Sequence, residues 1–264
     1  MSETSATPKV TGKMFLFERP ELLNKEQHGA YGLSRPQKPY AFCANIRGVP
    51  LTVSEIPAAM KYYPVVFSGV EKITPIAVLG IYEDVNLFVN DAGEWEDNVY
   101  VPGYLRRYPF AFASETGGDR LAVVVDAAYE GFTQNAEIPL FDNGEPSEAM
   151  RNAIEFCKQY EQDRRTTDQA MQIIEQMKLA VGQSAQYTPQ QGGEPVTFAQ
   201  YFGVDEKLLA ELPDEKFLEL RRTGVLPIVY AQLMSMANWR LLLMRRARRY
   251  DLQGEAVVRP LNAN

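Results

Sequence analysis

"FDNGEPS", residues 141–147, is where the hydrophobic period of this chain changes. Beyond it, Ala153, Cys157, Tyr160, Thr167, Met171, Ile174 and Met177 recur at steps near three, four and seven. That spacing marks one face of a helix over 147–180, with a break near Arg164–Thr167. Before it, "PVVFSG", "ITPIAVLGIY", "VNLFVN", "RYPFAFA" and "RLAVVVD" are rich in β-branched and aromatic residues. Such runs suit a pleated, half-covered surface. The second and third pair across Glu83-Asp84, and a "SETGGD" turn joins the last two. "TVSEIPAAMKYY" is a short helix with Thr52 or Ser54 as its N-cap. The two periods make the fold class α+β, with a β-rich N-terminal half at 40–140 packed against a helical C-terminal half at 147–250.

Working outward, residues 1–13 are small, polar and aperiodic, and read as disordered. Residues 14–250 form a single domain, and 251–264 are a C-terminal tail. "GQSAQYTPQQGGEP", 182–195, is a polar connection. Helices at 204–211, 213–222 and 225–249 follow it. The segment "VLPIVYAQLMSMANWRLLLM", 225–244, is long enough to cross a bilayer, yet Pro227, Gln232, Ser235, Asn238 and Arg240 interrupt it. An Arg inside a span costs about 2.5–3.5 kcal/mol. The segment is therefore a helix of a soluble layer, buried on more than one side and running between the two halves, and no transmembrane segment is expected.

The totals fit an ordinary globular protein of 264 residues, 45% hydrophobic and 23% charged. A net charge of −7 argues against nucleic acid as a partner, since that binding runs on excess cations. "MSETSATPKVTGK" has no apolar core of a signal peptide, and Cys43 and Cys157 lack any disulfide or CxxC pattern. Both cysteines are expected to be buried thiols in a cytoplasmic protein.

The chemistry available is narrow. One histidine, His28, is too few for a histidine-based zinc or iron site, so no metal is expected. No GxGxxG or GxxxxGK[ST] loop occurs, and no cofactor is expected. Ser68 lies beside a glycine but in no GxSxG elbow. Carboxylates at Glu83/Asp84 and Glu94/Glu96/Asp97 fall in turns. Asp126 ends the apolar strand "LAVVVD" and can face a cleft. Arg240, Arg245, Arg246, Arg248 and Arg249 form a basic patch, and the acidic stretch holding Asp205, Glu206, Glu211, Asp214, Glu215 and Glu219 is its ready partner within the chain.

"YVPGYLRRYPFAFA", 100–113, is the densest aromatic-arginine stretch. Its second half alternates as a strand with Phe110 and Phe112 on one face, and its first half is a single turn started by Pro102. It reads as a core wall with an Arg-lined rim, where Tyr104, Arg106, Arg107, Tyr108 and Asp126 are the candidate ligand or partner residues. Arg106 and Arg107, being adjacent, should diverge, one structural and one free to line a site.

Together, "NKEQHGAYGL", "KYYPVVFSG", "TPIAVLGIYEDVNLFVNDAGEWEDNVYVPGYLRRYPFAFA", "IPLFDNGEPSE" and "VDEKLLAELPDEKFLELRRTGVLPIVYAQLMSMANWRLLL" resemble the SapC family of bacterial proteins over roughly 14–245. The chain does not resemble the identically named peptide-transport permease. The family takes its name from a surface-layer locus, and its genes often lie beside TonB-dependent receptors and relatives of flavin-dependent tryptophan halogenases. The resemblance carries no catalytic residue. It implies a non-catalytic accessory or protein-interaction role in a cell-surface or TonB-dependent uptake system. The protein partner would be a halogenase-like flavoprotein or an uptake component. The alternative is an enzyme for a peptide or small anionic substrate, working with such a flavoprotein.

Overall fold

The computed structural model describes residues 13–114, 121–189 and 193–261. The readings made for residues 1–12, for the "SETGGD" turn beyond Ser114 and for the middle of the 182–195 connection lie outside these residues. In chain order the strands are β1 (Pro20–Leu22), β2 (Tyr31–Leu33), β3 (Gly48–Pro50), β4 (Val65–Phe67), β5 (Pro75–Val78), β6 (Phe110–Ser114) and β7 (Leu121–Asp126). They continue as β8 (Phe132–Gln134), β9 (Ile138–Pro139), β10 (Phe141–Asp142), β11 (Glu145–Pro146), β12 (Ala180–Tyr187) and β13 (Val196–Val204). The helices are α1 (Lys25–His28), α2 (Ile56–Ala59), α3 (Gly103–Arg106), α4 (Glu148–Gln176), α5 (Glu206–Ala210), α6 (Asp214–Arg222), α7 (Leu226–Ser235) and α8 (Asn238–Tyr250). Sheets lie mostly in the N-terminal half and helices mostly in the C-terminal half, so the fold is α+β.

The chain divides into two compact units, each made of two stretches. Residues 1–42 and 106–161 form the first; residues 43–105 and 162–264 form the second. In the first, β7 lies between β1 and β6, with Phe110 opposite Val125 and Pro20 opposite Asp126. Phe110, Val125, Ala127, Phe132, Leu140, Met150 and Cys157 share its core, and Phe112 packs against them. The "FDNGEPS" boundary is a tight hairpin: Asn143 and Gly144, at φ 49 and 80, link β10 to β11. Asn-Gly adopts this left-handed pair at little cost.

The second unit is built on an antiparallel sheet in the order β12-β13-β4-β5-β3. Here the structure departs from expectation. The helical half contains the long hairpin of β12 and β13, not a polar connection starting at residue 182. The Gly, Gln and Ser of "AVGQSAQY" have weak strand preference, but pairing with a nine-residue neighbour overrides it. Residues 86–89 form no strand with β5; a single bridge, Val89 to Trp95, stands there. Helix α4 runs unbroken through Thr167, whose hydroxyl donates to the Asp163 carbonyl and accepts from the Val53 N–H.

The 225–249 segment is two helices, α7 and α8, joined by a tightened turn at Met236–Ala237. Its burial differs from the expected pattern. Of the residues that interrupt it, Gln232, Ser235 and Asn238 are buried alongside Ile228, Val229 and Trp239, while Pro227 and Arg240 are exposed and Met234 is 65% and Met244 51% exposed. The cause lies in the sheet: β13 meets β4 through one residue pair, Phe202 and Phe67, so nearby backbone groups need other partners. Gln232 Nε2 donates to the Val65 carbonyl while its Oε1 accepts from Val204 N–H. Ser235 Oγ accepts from Val65 N–H, and Asn238 Nδ2 donates to the carbonyls of Met60 and Tyr63. The segment is thus solvated along one face. Among the described residues, no helix is long and apolar enough to cross a membrane.

Candidate functional site

Within the first unit, the 106–126 residues singled out above serve mainly as structure. Asp126 is fully buried, because the end of β7 turns into the unit and not toward a rim. Its carboxylate accepts from the N–H groups of Glu18, Arg19 and Ala128 and from the Tyr108 hydroxyl at 2.9 Å. Tyr108 stacks on Phe42, with centroids 4.0 Å apart, and meets Phe17 and Tyr129 edge-on. Burial, and next the hydrogen bond to Asp126, push its phenol well above the ordinary range. Arg106 and Arg107 do not diverge. Their guanidinium groups lie 5.1 Å over Phe156 and 4.6 Å over Tyr160, one turn apart on α4. The Arg106 contact is at the surface, where a cation–π contact contributes about 0.5–1 kcal/mol, while that of Arg107 lies over a buried ring. Arg106 is exposed, whereas Tyr104 is half-buried in α3.

The arginine run of α8, in the second unit, separates into different fates. Arg246 is fully buried: Nε reaches both Asp84 oxygens at 3.0 Å, Nη1 donates to the carbonyls of Ala256 and Val257, and the rings of Tyr82 and Tyr250 flank it. Burial raises the Asp84 pKa above the usual carboxylate range, with the Ile81 N–H and Arg246 opposing. Arg245 makes a two-point pair with Glu96 and covers the Phe88 ring, and Arg249 pairs with Asp91. The acidic partners therefore come from residues 84–96, not from 205–219. Within the stretch read as a C-terminal tail, Gly254–Val258 forms a short 3₁₀ turn anchored by Arg246. Arg240 and Arg248 remain exposed on α8.

The remaining reactive groups are likewise committed. His28 is 2% exposed; Nδ1 accepts from Asn24 N–H, which places the proton on Nε2, facing Glu21 at 3.2 Å. Ser68 Oγ accepts from Thr74 N–H. Both thiols are buried, and burial pushes Cys43 up to about 12 and Cys157 up to about 11. Sequence reasoning passed over Glu55. This buried carboxylate accepts from Thr52 N–H and hydroxyl, Tyr100 hydroxyl and Gly103 N–H. The signal was present as Thr-x-x-Glu at 52–55, the capping-box pattern. A Cβ on Gly103 would meet this carboxylate at 3.0 Å, which explains the glycine at the start of α3.

The second unit carries a groove of about 700 Å³ across β4, β13 and β12. Val66, Phe67, Ser68, Gly182, Gln183, Ser184, Gln200, Tyr201 and Phe202 line it, with no charged group among them. Gln183 is held in place: Nε2 donates to the Val204 carbonyl and Oε1 accepts from the Tyr201 hydroxyl. Ser184 and Gln200, opposite each other on the two strands, are exposed. The groove ends at β12, an edge strand of eight residues with no charge in it. The ionisable side chain in the lining is that of Tyr201, whose hydroxyl is engaged with Gln183, and the amides, hydroxyls and aromatic faces around it suit binding of a ligand.

The profile of the SapC family matches residues 23–242. The chain belongs to the SapC family. Comparison with curated proteins and with solved structures finds no match. The matched span of this SapC chain takes in Phe42, Tyr108, Asp126 and Tyr129 of the first unit and the sheet groove and α7 of the second, while Phe17 and Arg246 lie outside it.

Proposed function

We propose that this SapC-family protein is a non-catalytic accessory protein of the bacterial cytoplasm, acting by binding a protein partner in a cell-surface or TonB-dependent uptake system. The observation that carries the reading is the uncharged groove across β4, β13 and β12. It suits an extended protein segment, whose backbone can bond to Ser184, Gln200 and the open edge of β12 while its side chains meet the half-buried Tyr201 and Phe202. The groove's lining carries no carboxylate, imidazole or amine, and its Tyr201 hydroxyl is tied to Gln183, which weighs against the alternative of an enzyme for a peptide or small anion acting there. A halogenase-like flavoprotein or an uptake component is the partner class the family setting favours.

Gly182 provides the test. A Cβ there meets only Phe202, at 3.8 Å, so Gly182→Arg fills the groove without displacing backbone. Tagged protein recovered from its native host should bring a partner, and the Gly182→Arg form should lose it while melting like the parent. Recovery of the protein without any partner would count against the reading.

A further inference from the structure

The exposed face of α7 and α8 carries a second signal, independent of the groove. Pro227, Tyr230, Met234, Ala237, Leu241, Met244 and Arg248 are all exposed, at successive steps of three, four, three, four, three and four. That is the spacing of a coiled-coil seam, here pointing to solvent. Its large members are far from marginal: Tyr230 is 41%, Met234 65%, Leu241 39% and Met244 51% exposed. The seam passes through the Met236–Ala237 turn because both residues keep right-handed helical angles. At 1.5 Å per residue the 227–248 stretch is about 32 Å long.

We infer that this face is the interface of a homodimer in which α7–α8 pairs with its counterpart in a second copy, antiparallel. Two features select that occupant and that direction. The seam is self-complementary about its centre: antiparallel pairing sets Arg248 against Pro227, Met244 against Tyr230 and Leu241 against Met234, and places Ala237 on Ala237. The smallest side chain then sits at the crossing point, where it lets two helices approach. The ends are also opposite in charge. Exposed Arg248 marks the α8 end and makes no ion pair among the described residues. At the α7 end, Tyr230 borders a hollow of about 280 Å³ lined by Glu206, Asp214, Leu209, Leu212 and Phe217. Antiparallel pairing brings each Arg248 to the partner's acidic hollow; parallel pairing would set arginine on arginine. One patch meeting its own copy in this way is the isologous contact of a two-fold dimer.

Sedimentation velocity on the full chain tests this, from about 1 to 200 μM, the range for a modest interface. The mass should rise from 29.8 kDa toward twice that value. Met234→Glu with Met244→Glu should hold the protein monomeric with an unchanged circular dichroism spectrum. Arg248→Glu should weaken the dimer about tenfold, and adding Glu206→Arg should restore it. Gly182→Arg should leave it unaffected, which separates this interface from groove binding. A wild-type chain that stays monomeric throughout, or a dimer indifferent to the Met234 and Met244 changes, would overturn the inference. So would a seam occupied by a different protein, or by lipid vesicles, in place of a second copy.

Discussion

Each compact unit holds a buried carboxylate that fastens distant segments, Asp126 in the first and Asp84, in addition to Glu55, in the second, and Asp126 and Asp84 are satisfied by different means. Asp126, in the first, is surrounded by neutral donors: three backbone N–H groups and the Tyr108 hydroxyl. Asp84, in the second, faces the fully buried Arg246 and one backbone N–H, from Ile81. The difference matters when a partner is removed. Loss of one neutral donor leaves Asp126 with three others. Loss of Arg246 leaves Asp84 as a buried charge without its counter-ion.

The largest expected effect follows from that contrast. Arg246→Ala should cost about 3–5 kcal/mol in urea unfolding, and the paired change Arg246→Met with Asp84→Leu should recover most of it. If single and paired variants unfold alike, the ion pair is not what sets the second unit apart. Next in size, Asp126→Ala strands four donors and should cost about 2–3 kcal/mol, whereas Tyr108→Phe removes one and should cost about 1–2. A Tyr108→Phe loss as large as that of Arg246→Ala would erase the distinction between the two knots.

The smallest effect compares the thiols, Cys157 in the first unit and Cys43 in the second. In each, burial raises the folded pKa above the ordinary 9.0, to about 11 and about 12. Their contribution is therefore complete below about pH 9 and declines as the pH rises toward those values. By pH 10 each thiol should lower stability by about 1 kcal/mol relative to pH 8, since the unfolded thiol ionises and the folded one does not. Cys43→Ala and Cys157→Ala should each remove that portion of the alkaline loss, measured by urea unfolding at both pH values. An alkaline loss unchanged in both variants would assign it to the buried tyrosines.

The sheet-forming runs around β4, β5, β6 and β7 and the long helix α4 were legible, because their apolar period is a property of neighbours in sequence. The β12–β13 hairpin was not, since Gly182, Gln183 and Ser184 take strand geometry only once a partner strand is beside them. The candidate site was less legible still. Tyr108 and Asp126 do come together, but as a closed knot, and the groove is lined by residues whose types suggest no chemistry one by one.

By itself the sequence determined the change of period at 141–147, the α+β class, the family and the burial of Cys43 and Cys157, whereas the burial of His28 in a polar stretch came from the structure. Local pattern and composition are sufficient for the former. Tertiary structure alone decided which polar groups would be spent inside. Arg246 finds Asp84 162 positions away, and Ser235 finds the Val65 N–H 170 positions away. A buried polar group must be paired, yet its own neighbourhood in the chain does not name the partner. Gln232, Ser235 and Asn238 therefore read as interruptions of an apolar helix and prove to be its anchors. Met234 and Met244, in a segment expected to be buried on more than one side, face solvent.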